Sequence, residues 1–147
     1  MNHFRQIADR LEQYGLDAML LTGEANRFYA SGFRSAGTDG AALVTKGKNY
    51  YFTDGRYTEA AARVVEHADI REVRPGRGYT VLLNEALAEQ GAEKVGFEDA
   101  YMTVADYELY RKNLRCELIP AAELLSELRR VKDEEEQEDD DGRQPGS

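Results

Sequence analysis

The chain has 147 residues, 41% hydrophobic and 10% aromatic with no Trp, which suits one globular core and is short for two domains of ordinary size. Eight of the 28 acids fall between Asp133 and Asp141, and Arg143 also lies beyond residue 132, so the net charge of −9 leaves 20 acids against 18 bases in the first 132 residues. That near-neutral body argues against a basic nucleic-acid-binding face. No apolar run reaches the ~18 residues of a membrane span and the N-terminus lacks a signal-peptide pattern, so no membrane partner and a cytoplasmic location are expected.

In chain order, Phe4, Ile7, Ala8, Leu11 and Tyr14 share one helical face that Gly15 closes. Ala18-Met-Leu-Leu-Thr22 is a short apolar run, read as a strand buried on both faces. Arg27 to Phe33 predicts one or two helical turns ended by Gly32, and Arg34 to Gly40, with no apolar anchor, predicts an exposed loop. Ala41 to Thr45 and Lys48 to Thr53 flank Lys46-Gly47 and read as a hairpin, which makes the sheet mixed.

The aromatic run Tyr50-Tyr-Phe breaks at Asp54-Gly55 and continues as a helix over Arg56 to Glu66. Asp54 suits a turn and helix start, where its carboxylate accepts free amides. Ile70 to Arg74 is a partly exposed strand, broken by Pro75-Gly-Arg-Gly78. Leu82, Leu83, Ala86 and Leu87 mark a helix ending near Gly91, and Lys94 to Glu98 gives another strand. Thr103-Val-Ala-Asp106 has the form of a capping box for a helix that uses Val104, Tyr107 and Leu114. Glu117 to Pro120 reads as the last strand, and Leu124, Leu125, Leu128 and Val131 as the last helix face. The expected fold is α/β: one three-layer domain over residues 1–132, a mixed sheet of about five to six strands with flanking helices. Residues 133–147, acidic and almost without apolar side chains, are expected to form a flexible tail.

The chain is poor in reaction chemistry. Its two histidines, His3 and His67, have no metal-ligand spacing, so no metal site is expected. There is no Gly-x-Ser-x-Gly turn for a nucleophilic serine. Cys116, alone, excludes an intramolecular disulfide and reads as a buried, inert thiol. Pro75-Gly-Arg-Gly78 lacks the Lys of a phosphate-binding loop and is read as a turn. Glu98-Asp99 is adjacent on a strand, where successive side chains point to opposite faces. No catalytic residue is assigned.

Four segments in order resemble the N-terminal domain of the creatinase, prolidase and Xaa-Pro aminopeptidase family. Asn26-Arg-Phe-Tyr-Ala-Ser-Gly-Phe33 is similar to its Asn-x-x-Tyr-x-x-Gly-Phe segment, Thr53-Asp-Gly-Arg-Tyr57 to its Thr-Asp-x-Arg-Tyr, and Val95-Gly-Phe-Glu98 to its Val-Gly-x-Glu strand. Residues 128–136 resemble the helix that enters the catalytic domain. The resemblance implies a ribonuclease-H-like mixed sheet and, in the parent enzyme, a larger "pita-bread" domain holding two divalent metal ions, usually manganese or cobalt. It further implies a parent homodimer that acts on proline-containing peptides, in which this domain leans over the partner's active site. By that resemblance Arg34, Ser35 and Asp39 would gate substrate in trans, while Asp54, Arg56 and Tyr57 would be structural.

Where the family's helix continues with apolar residues, this chain has Gln137-Glu-Asp-Asp-Asp141. The expectation is a truncated linker, a missing catalytic domain and no activity or cofactor of its own. Two alternatives stay open: a stand-alone peptide- or protein-binding module of the same fold, and the N-terminal domain of a creatinase-like amidinohydrolase.

Overall fold

A computed structural model describes residues 2–35 and 40–131. The elements in order are α1 (Phe4–Arg10), β1 (Ala18–Leu21), α2 (Glu24–Ser31), β2 (Gly40–Thr45), β3 (Asn49–Asp54) and α3 (Thr58–Val64), then β4 (Asp69–Val73), α4 (Tyr79–Gln90), β5 (Lys94–Phe97), α5 (Val104–Asn113) and β6 (Glu117–Pro120). A further helix, α6, covers residues 122–131. Asp39 and the acidic segment 133–147 lie outside the described residues.

The six strands form one sheet in the order β4-β3-β2-β1-β5-β6. β1 pairs parallel with β5, β5 with β6 and β3 with β4, whereas β2 is antiparallel to both β1 and β3. Five strands therefore run one way and β2 alone runs the other. The start of β2 consequently lies on the same rim of the sheet as the ends of the other five. α2 leaves β1 on that rim, and Ser35 lies there beside Gly40, the first residue of β2.

Strand alternation divides the core into two layers. Met19, Leu21 and Tyr51 meet Phe4, Ile7, Ala30, Ala61 and Leu124, from α1, α2, α3 and α6. Ala18, Leu20, Tyr50 and Phe52 meet Leu82, Leu83, Ala86 and Leu87 of α4 on the opposite face, with Leu114 just beyond α5. All four residues of β1 are buried, as a central strand requires, and each large side chain there contributes on the order of 2 kcal/mol.

Three local expectations are corrected. α3 begins at Thr58 and not Arg56, because Tyr57 N–H closes a turn onto the Asp54 carbonyl at 3.0 Å. Val104 is 79% exposed, since it is the first residue of α5 and precedes the part of that helix that reaches the sheet. The loop after Phe33 is not uniformly exposed: Ser35 is buried, held by a polar contact that no hydrophobicity pattern reveals.

Candidate functional site

The rim at the ends of the parallel strands gathers the residues singled out above. α2 ends with Gly32 in the left-handed region (φ 74°), where its N–H reaches the Phe28 carbonyl at 2.8 Å. Phe33 then turns inward, and its ring meets Tyr51 edge-on at 5.8 Å and Tyr57 at 6.3 Å between centroids. The Gly-Phe pair of the first motif thus packs on the Tyr of the second. The Asp54 carboxylate accepts the Arg56 N–H at 2.9 Å and pairs with its guanidinium at 2.7 Å. Hydrogen bonding from Arg56 lowers the Asp54 pKa from its ordinary value. The Arg56 guanidinium also lies over the Tyr57 ring, 5.3 Å from its centroid.

Beyond Phe33 the chain alternates. Arg34 is exposed and lies over the Phe28 ring at 4.1 Å from the centroid. Ser35 turns in, its hydroxyl 2.9 Å from the Tyr51 hydroxyl, and burial raises the Tyr51 pKa. Of the three residues put forward for substrate contact, Arg34 is open to solvent, Ser35 is enclosed and Asp39 is not described.

The third motif meets the first through Glu98, the last residue of its Val-Gly-x-Glu segment. Its carboxylate is buried at the end of β5 and accepts the N–H groups of Thr22 (2.7 Å) and Gly23 (3.0 Å) and the Asn26 side-chain amide (2.9 Å). These amides belong to the start of α2, where no residue of α2 itself supplies a side-chain cap. A carboxylate 75 residues away in sequence does so instead. An acid that closes an apolar strand was the signal available, since a buried carboxylate requires partners. Asp99 caps in the same manner, accepting the Ala122 N–H of α6 at 2.9 Å.

Between these groups lies an open cleft of about 420 Å³, lined by Gly23, Glu24, Ala25, Asn26, Arg34, Glu98 and Tyr101. It sits outside the carboxyl ends of β1 and β5, the usual position of ligand crevices in open α/β sheets. Glu98 is engaged by three amide donors, and the cleft also presents the Arg34 guanidinium and the half-exposed Tyr101 ring as recognition groups. Among the described residues no three His, Cys, Asp or Glu side chains are arranged to hold a metal ion, and no helix is long and apolar enough to cross a membrane. Cys116 is half-buried, and desolvation pushes its pKa up to about 11.

This fold is that of a known class. The profile of the Creatinase/Prolidase N-terminal domain matches residues 4–131, and the chain belongs to that family. It is 34% identical over 125 residues to the uncharacterized peptidase YqhT of Bacillus subtilis, covering 84% of this chain and 34% of that protein. A Xaa-Pro dipeptidase from Bacillus anthracis superposes with TM-score 0.77 at 28% identity, over 86% of this chain and 34% of that one. The N-terminal domain of the cytoplasmic peptidase PepQ from Mycobacterium tuberculosis does so with TM-score 0.73 at 28% identity, over 87% of this chain and 99% of that one. The chain spans about a third of the length of the curated relative it matches.

Proposed function

We propose that residues 1–132 serve as the noncatalytic N-terminal domain of a Xaa-Pro peptidase, which dimerises and gates the partner subunit's active site. The divalent metal ions that activate water belong, in this reading, to a separate catalytic domain. Arg34 contacts the substrate carboxylate there, its planar fork of donors matching the two oxygens. The observation that carries the reading is the presentation of Arg34. Two family motifs converge to fix Phe33 immediately before it, and the guanidinium then lies on Phe28, exposed, with no ion-pair partner among the described residues.

Two measurements test this. The purified chain, supplied with manganese or cobalt, leaves Xaa-Pro peptides intact, and turnover appears when the catalytic domain is supplied; turnover by the chain alone that survives repurification would refute the proposal. In the complete enzyme, Arg34→Ala raises KM about tenfold with kcat little changed, the loss of roughly one charged hydrogen bond. An unchanged KM removes Arg34 from the substrate.

A further inference from the structure

Arg27 is an arginine at 1% exposure, on the inward face of α2 with Ala30 and Ser31. A charge so enclosed requires a dedicated set of partners. Its guanidinium donates to the carbonyl oxygens of Gly40 at 2.5 Å and of Ser35 at 3.1 Å. Those carbonyls belong to the stretch that follows α2 and to the first residue of β2, so one planar group ties the two together. The surroundings are filled. A Cβ on Gly40 would lie 3.0 Å from Ser35 Oγ, 3.0 Å from the Tyr51 hydroxyl and 3.2 Å from Arg27 Nη1. The next residue of α2, Phe28, faces outward and carries the Arg34 guanidinium. Helix α2 therefore holds this segment twice, by Arg27 on the backbone of Ser35 from inside and by Phe28 on the side chain of Arg34 from outside.

We infer that Arg27 is a positioning residue: its buried fork fixes the Ser35 and Gly40 carbonyls and thereby sets the direction in which Arg34 leaves the backbone. Lysine cannot replace it, because a single ammonium on a flexible stem does not span two carbonyls in a fixed plane. The consequence for substrate rests on the reading of Arg34 given above, whereas the positioning itself does not.

The test uses Arg27→Lys with a readout on each level. In the 147-residue chain, the Arg34 Nε–Hε resonance, displaced by the Phe28 ring current, moves toward its random-coil position in Arg27→Lys. Tyr51→Phe, which removes only the hydroxyl contact to Ser35, moves it the same way by less and serves if Arg27→Lys fails to fold. In the complete enzyme, Arg27→Lys raises KM about as much as Arg34→Ala, and the double variant is no worse than either alone, because both remove one interaction. An Arg34 resonance that stays in place in a folded Arg27→Lys, with only the melting temperature lowered, overturns the inference and leaves Arg27 a structural residue. A resonance that moves while neither substitution changes KM upholds the positioning and refutes the substrate contact.

Discussion

Glu98 shows how much one side chain can coordinate. It gathers two backbone amides and one side-chain amide at the start of α2, and it lies at the end of a strand far away in sequence. Asn26 extends the link, its side-chain oxygen accepting from Arg129 of α6 at 3.3 Å. Glu98→Ala leaves three buried or partly buried donors without an acceptor, and the expected loss is about 3 kcal/mol. In thermal denaturation that reads as a fall of about 10 °C; a fall of only a degree or two would mean that water replaces the carboxylate. The sequence made the Val-Gly-x-Glu resemblance visible, and Glu98 within it, but not the partner. Capping by a residue of a different element depends on where the ends of β1 and β5 meet, and local pattern carries no such distance.

At the scale of elements, the succession of helices and strands was legible because periodicity and turn chemistry agree along most of the chain. The hairpin at Lys46-Gly47, the left-handed closures at Gly15, Gly32 and Gly91, and the Thr103 cap on the Asp106 N–H at 3.1 Å follow from the residues present. What escaped was inwardness by polar contact. Ser35 and Arg27 are buried for hydrogen bonds and not for apolar area, so hydropathy gave no sign of either, although Arg27 does share the helical spacing of Ala30 and Ser31. Gly96 gives the other half of the third motif its reason. A Cβ there would meet Leu16 Cδ1 and Met19 Sδ at 2.7 Å and Ala121 Cβ at 2.9 Å, so β5 can lie beside β1 and against Ala121, which leads into α6, only without a side chain. Gly96→Ala is expected to destabilise by about 2 kcal/mol through overpacking, measured as a lower urea midpoint with unchanged slope. No loss would show that Leu16, Met19 and Ala121 give way freely.

For the whole molecule, carboxylates distributed around the fold share one electrostatic condition. The pKa values of Asp17, Glu72, Glu89 and Glu127 are all lowered: by backbone N–H donors of Lys94 and Glu93, by Thr58 and Arg74, by Arg71 and Tyr50, and by Tyr14 and Arg10 respectively. A carboxylate whose folded pKa lies below its unfolded value, about 4, contributes stability that is complete above that value. The contribution is lost as pH falls through the folded pKa. The melting temperature should therefore be nearly flat from neutral pH to about 5 and fall steadily below about 4. Asp17→Asn should flatten part of that fall, because the Glu93 and Lys94 amides at 2.9 Å then face a neutral oxygen at every pH. An acid limb identical in wild type and Asp17→Asn would show that the other carboxylates dominate.

Because β2 alone runs against the other five strands, the Lys46-Gly47 turn hangs at the pole of the sheet opposite Arg34 and Glu98, with Lys46 open to solvent. A fluorophore or surface tether attached at Lys46 would thus sit a full strand length from the proposed substrate rim, making this turn the natural handle for immobilising the protein while leaving its working edge clear.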